Sequence, residues 1–208
     1  MITAAIIARE IKLVKYGIGD LFLSLIGCIL TICIFILIFD KYLIDPIVFY
    51  GVVLIITTLN IFTIDPLSDE FNSGIIEQLF LLPIPPFKIV LIKWVSLLSR
   101  YIIVNLLLWT IISHMVQVKF FYLQYILFTI YIVGLSFLIT AISLSLPPKK
   151  QLVSHILLLP IIFPQIVLSI LSVEDPIYIY LCLALSIIMV PLLILFTTIV
   201  LEGVVRDG

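Results

Sequence analysis

Residues 21–39 form an unbroken run of nineteen without a charged side chain. A helix rises ~1.5 Å per residue, so ~20 such residues reach across the ~30 Å hydrocarbon core of a bilayer. Five further segments repeat the pattern: 47–64, 89–113, 121–146, 152–172 and 177–201. The chain has 208 residues, 64% hydrophobic and only 11% charged. A soluble domain keeps roughly a quarter of its residues charged and cannot hide so much apolar side chain. This excludes an ordinary soluble enzyme, a disordered tail and a secreted disulfide scaffold. The runs are continuously apolar rather than alternating, which argues against a membrane β-barrel. The sequence therefore predicts an all-α integral membrane protein, a single transmembrane domain over 1–208 with six spans. The first run is too long for a cleavable signal, and Asp40-Lys41 stands where a small-residue cleavage site is needed.

The connections set an orientation. With the N-terminus inside, the inner side holds Arg9, Lys12, Lys15, Lys88, Lys149, Lys150 and Arg206, and the outer side only Lys41 and Lys119. That bias predicts N-in and C-in under the positive-inside rule. The net charge of −1 provides no basic field for nucleic acid. Residues 1–18 read as an interfacial helix: Ile7, Ile11, Val14 and Ile18 recur at helical spacing, with Arg9 and Lys12 opposite. Gly17, Gly19 and Asp20 are expected to separate it from the first span.

One polar connection is substantial, 65–88, on the inner side. Ser68 is a fitting N-cap, and Asp69 and Glu70 suit the positive end of a helix. Glu70, Ser73, Gly74 and Glu77 share one face by spacing, and Phe71, Ile75, Leu79 and Leu82 another. Pro83, Pro85 and Pro86 stop the helix before the third span. An amphipathic helix here either docks a cytosolic partner or is a solvated re-entry loop. Glu70 and Glu77 have no nucleophile, histidine or metal cluster beside them, so they are not expected to catalyse.

Polar residues inside the spans need a reason. Lys93 and Arg100 are seven apart and share a face of the third span. A mid-membrane charge costs at least ~2.5–3.5 kcal/mol, so such groups turn to protein or water. Lys93 is near enough to the inner end to snorkel. Arg100 is deeper and is expected to face the bundle, pairing with Glu202 or Asp65, less readily with Asp20, or else to snorkel from a tilted helix. Pro160 and Pro164 in the fifth span and Pro191 in the sixth each remove a backbone donor; they serve as hinges or as static kinks. Gly134 and Ser136 permit close packing of the fourth span. No single span presents a wide set of polar groups. Cys28, Cys33 and Cys182 form no C-x-x-C pair and read as small apolar residues. His114 and His155 fall near opposite ends of their spans and cannot clamp one heme, and no C-x-x-C-H occurs. No G-x-x-x-x-G-K-[ST] loop occurs either, so ATP would have to be bound by a partner.

Asp69-Glu70, Gly74, Glu77-Gln78-Leu79, Leu81-Leu82-Pro83 and Pro85 form a pattern that resembles the heme exporter protein B (CcmB) family. These are the membrane subunits of the cytochrome c maturation ABC transporter complex. Ile75 stands where that family usually has a hydroxyl residue. Leu157-Leu158-Leu159-Pro160 with Pro164 is similar to the family's proline-rich fifth span. The resemblance implies an ABC-2-like permease, with an N-terminal interfacial helix and a cytosolic coupling helix seated in a separate ATPase subunit, CcmA. Asp69, Glu70, Gly74, Glu77 and Gln78 would be coupling residues, not catalytic ones. It implies a dimer or pseudo-dimer of membrane subunits working with CcmC, CcmD and the heme-loaded chaperone CcmE. Heme would be handled by the complex and ATP by the partner, with no cofactor on this chain. The site would be the bacterial inner membrane or the mitochondrial one. Heme export and ATP-driven release of CcmE both fit. So does a permease of another ABC-2 exporter, for lipid, glycan or drug, or a passive assembly scaffold.

Overall fold

The computed structural model describes residues 2–16, 18–39, 46–63, 70–116, 122–147 and 151–207. Eight helices run through them: α1 (Ile2–Tyr16), α2 (Ile18–Phe39), α3 (Pro46–Thr63), α4 (Ile75–Phe80), α5 (Pro86–Val116), α6 (Tyr122–Ser145), α7 (Gln151–Leu171) and α8 (Ile177–Asp207). No strand occurs among the described residues. Prolines open α3 and α5, where a missing N–H is harmless and φ is already helical. The carboxylate of Asp175 accepts a hydrogen bond of 2.9 Å from the Ile177 amide and caps α8. Each apolar run of the sequence coincides with one of α2, α3, α5, α6, α7 and α8. Helix α5 extends beyond its run by three residues at each end, and α8 by six at its C-terminal end.

Three stretches are long and apolar enough to cross a membrane: Pro86–Ile111, Tyr122–Ser145 and Ile177–Arg206. The described apolar stretches Leu25–Leu37, Ile47–Phe62 and Pro160–Leu171 are shorter. Helix α6 is the axis of the bundle. Sixteen of its 24 residues are buried, and it packs on α8, α7, α5 and α3. Helix α2 lies against α5 and α3, and α1 against α5 and α2.

On the outer helices apolar side chains face outward and polar ones inward. On α7 the buried stripe is Ile162, Gln165, Ser169 and Ser172, while Phe163, Pro164 and Val167 are exposed. On α8, Cys182, Ser186, Thr197 and Thr198 face in, whereas Ile187, Ile188, Leu195, Phe196 and Ile199 face out. Exposed apolar surface running the length of several helices is far beyond what a monomer keeps in water and is the surface that meets lipid. The interior hydroxyls satisfy themselves on their own helices. Thr57, Thr58, Thr129, Thr197 and Thr198 each donate to the carbonyl four residues back, at 2.7 to 2.9 Å.

One expectation at the N-terminus changes. Gly19 and Asp20 do not interrupt the chain; α2 starts at Ile18 and includes both, and Gly17 lies outside the described residues. On α1 the side packed on protein is Ile6 and Glu10, while Ile7 and Ile11 are exposed, as the apolar stripe of an interfacial helix would be. The prolines of α7 and α8 sit inside continuous helices. The Tyr131 hydroxyl donates to the Ile161 carbonyl at 2.8 Å and ties that turn to α6.

Gly134 marks the closest approach of α6 to its neighbours. A Cβ there would stand 3.4 Å from Leu193 Cδ1 and 3.5 Å from Trp94 Nε1. Gly134→Ala is therefore expected to change stability by less than ~1 kcal/mol, and Gly134→Leu to destabilise by ~1–3 kcal/mol through overpacking. Thermal unfolding in detergent compares the two.

Candidate functional site

The segment between α3 and α5 is held by one buried cation. Lys93 lies two turns into α5 with its side chain 6% exposed. Its ammonium donates to Glu10 Oε1 at 3.3 Å and to Glu70 Oε2 in a close ion pair. Arg9 adds a second bridge, from Nη1 to Glu10 Oε1 and from Nη2 to Glu70 Oε1, both 3.0 Å. Glu10 is 7% and Glu70 18% exposed, against 32% for Arg9. Two cations and two carboxylates thus join α1, the helical turn at 70–72 and α5.

Beneath the charges lies a small apolar cluster of Ile6, Leu79 and Ile89, with Ile75, Phe80, Leu82, Ile84 and Ile92 packed around it. Ile6 is one turn from Glu10, and Ile89 one turn from Lys93, so the same helix faces supply both layers. Phe71 turns the other way, into a groove of about 480 Å³ with Leu144, Ser145, Ile199, Val200, Gly203 and Val204. The segment therefore also reaches the C-terminal parts of α6 and α8.

Gly74 divides the segment. Its φ of 72° is left-handed, and it is the only positive-φ glycine among the described residues. A Cβ there would meet nothing nearer than Glu77 Oε2 at 3.9 Å. The demand is on the backbone, not on space. The sequence predicted one helix with Glu70 and Glu77 on a shared face. The left-handed residue breaks that periodicity: Glu70 is drawn inward to Lys93, while Glu77 and Gln78 are exposed. Ser68, Asp65 and Asp69 lie outside the described residues.

Arg100 is two turns beyond Lys93 on α5 and half-buried. The carboxylates whose charge it feels are Glu10 and Glu70. Its buried Nε has no hydrogen-bond partner. No ion pair joins it to Glu202 among the described residues, and the side chain of Asp20 is not among them. Glu10 is the residue that sequence reasoning missed. The available signal was its position as the one acid among Arg9, Lys12 and Lys15, within reach of a buried lysine that needs a counter-charge.

His114 is exposed at the end of α5, and the side chain of His155 lies outside the described residues. Among the described residues no group of three or more His, Cys, Asp and Glu is placed to hold a metal. The three cysteines are free; Cys28 accepts from Asn60 Nδ2 at 3.1 Å. The sequence matches no protein-family model and no curated protein.

A buried ion pair that loses one partner strands the other, at ~3–5 kcal/mol, whereas a partly exposed one contributes ~0–1 kcal/mol. Lys93→Met is thus expected to destabilise severalfold more than Arg9→Ala. Lys93→Glu combined with Glu10→Lys should recover part of the loss. Unfolding midpoints of these variants, with Lys93→Glu and Glu10→Lys also measured singly, in one detergent test this ordering.

Proposed function

We propose that this chain is the permease subunit of an ATP-driven membrane complex, with segment 70–85 as the element that receives force from a separate ATPase. The observation that carries the reading is the division of labour across Gly74. One side, Glu70 and Phe71, is anchored to the bundle by ions and packing. The other leaves Glu77 and Gln78 free for a partner. An element that transmits force needs both a rigid attachment and a free contact surface. The hydrophobic layer of Ile6, Leu79 and Ile89 ties that free surface to α5 and, through it, to α6.

In this reading six helices, α2, α3, α5, α6, α7 and α8, cross the membrane in an ABC-2-like arrangement, with both termini inside. The chain supplies no nucleotide site or catalytic group of its own. The motif from Asp69 to Pro85 favours c-type cytochrome biogenesis, with CcmA as the ATPase and CcmC, CcmD and CcmE as further partners. Heme export and ATP-driven release of loaded CcmE are both consistent with it, in a bacterial or mitochondrial inner membrane. Pro160, Pro164 and Pro191 would be hinges, and Lys93 and Arg100 the charges that carry the movement inward. The alternative is a permease for lipid, glycan or drug. It shares the coupling segment and differs in cargo.

Purification from native membranes in mild detergent is expected to retain an ATPase. Glu77→Arg with Gln78→Ala should lower its recovery at least ~10-fold, equivalent to ~1.4 kcal/mol of contact energy, without lowering the amount of folded permease. Retention of the ATPase by this variant, or its absence from the wild-type preparation, contradicts the reading. Loss of the gene with normal lipid, glycan and drug export but absent c-type cytochromes selects the maturation role; the reverse pattern selects the alternative.

A second substitution separates the hinge from the contact. Gly74→Asn tolerates a left-handed residue and is expected to retain coupling. Gly74→Val carries a penalty of ~1–2 kcal/mol at that φ and should lose ATP-dependent activity while keeping Glu77 and Gln78. Equal activity of the two variants would remove the hinge from the account.

A further inference from the structure

An uncharged polar part of the interior lies away from the ion cluster, toward the other end of the bundle. Gln124 on α6 and Gln165 on α7 are both 0% exposed, and in each the amide oxygen and the amide nitrogen have no hydrogen-bond partner. Ser186 on α8 is 4% exposed, and its hydroxyl is likewise without a partner. The interior threonines answer their needs on carbonyls of their own helices, but these two carboxamides have not done so.

Contacts between the helices bring the three side chains to one level. Ser169 Oγ and Cys182 Sγ are 3.9 Å apart, which fixes the antiparallel register of α7 and α8. One turn inward from both, Gln165 and Ser186 face each other's helix. Tyr131 bonded to the Ile161 carbonyl fixes α6 against α7. Gln124 lies ~10 Å along α6 from Tyr131, and Gln165 and Ser169 lie ~6 and ~12 Å along α7 from Ile161. Gln124 thus falls between the levels of Gln165 and Ser169. The helices α6, α7 and α8 pack on one another, so the three groups share one interior layer.

We infer that this layer is a binding site for water within the membrane-embedded bundle. A carboxamide stripped of water without a new partner is strongly unfavourable, and native interiors leave few such groups unpaired. The layer contains two donor–acceptor amides and hydroxyls and no charged side chain. That chemistry selects a small neutral molecule that both donates and accepts, and it gives an ion no counter-charge. Buried water typically makes about three hydrogen bonds in such a place. Each span brings only one or two of these groups; the site exists only where three helices meet.

Hydroxyl-radical footprinting by millisecond X-ray exposure, on the full chain in lipid nanodiscs, tests the assignment. Radicals form from bound water, so buried side chains beside it are oxidised. Tyr125 and Cys182, fully buried next to the layer, are expected to be modified at least ~10-fold faster than Phe49 and Phe137, which are also buried but lie away from it, after correction for intrinsic reactivity. Gln124→Leu with Gln165→Leu should remove most of that excess. Modification of Tyr125 and Cys182 no faster than the two phenylalanines would overturn the inference, as would an excess that persists in the double variant. Where the double variant does not fold, Gln165→Met replaces it, and the wild-type comparison decides independently.

Discussion

A single lysine, buried where charge is expensive, dictates how one end of this bundle is built. Lys93 sits on a helix long and apolar enough to cross a membrane, so its charge must be met from within the protein. Two carboxylates meet it, both from earlier in the chain but from different elements. Glu10 brings α1 onto α5, and Glu70 brings the connection after α3 onto the same helix. Neither contact is local in sequence. The interfacial helix and the polar segment are therefore not independent attachments; each is positioned by the same cation, and a movement of one changes the electrostatic surroundings of the other. Arg9 closes the ring from the solvent side, where screening makes its own contribution small.

Away from that end, the core is largely apolar, with small and polar residues placed among it at the helix contacts. In lipid there is no hydrophobic drive to press helices together, and small, hydroxyl and amide residues collect at the contacts instead. Helix α6 contains Thr129, Gly134, Ser136 and Ser143 among its buried residues, and α7 buries Gln165, Ser169 and Ser172. Aromatic packing supplements these. Tyr50 stacks on Trp109 with centroids 5.5 Å apart, and Trp109 meets Tyr125 edge-on at 4.5 Å. Tyr125 in turn shares a 3.2 Å hydrogen bond with Thr57. Aromatic and hydrogen-bond geometry thus adds to the bulk apolar core in joining α3, α5 and α6.

The helical segments were legible because hydrocarbon thickness imposes a length, and length survives any detail of packing. Gly74 was legible too, as the lone flexible residue between an acidic start and a proline stop. Faces were harder. In α1 the stripe of Ile7 and Ile11 is the outward one, as an interfacial helix requires, but the packed side with Ile6 and Glu10 carried no apolar pattern to reveal it. The shared face of Glu70 and Glu77 failed for another reason: helical spacing holds only while φ stays negative, and one left-handed residue rotates everything after it. Arg100 resisted because which carboxylates stand near it depends on which helices are neighbours, which no local pattern encodes. The polar layer of Gln124, Gln165 and Ser186 was invisible in the spans taken singly, since its concentration arises only on assembly.

The account stands on the claim that Gln78 touches a nucleotide-hydrolysing protein while the rest of its segment stays fixed to the bundle. A photo-reactive amino acid placed at Gln78, irradiated in native membranes, reads this contact directly. The expected adduct is a protein bearing a phosphate-binding loop, formed from position 78 and not from the lipid-facing position Leu59. Adducts with lipid alone from position 78, or the same protein captured equally from both positions, would contradict it.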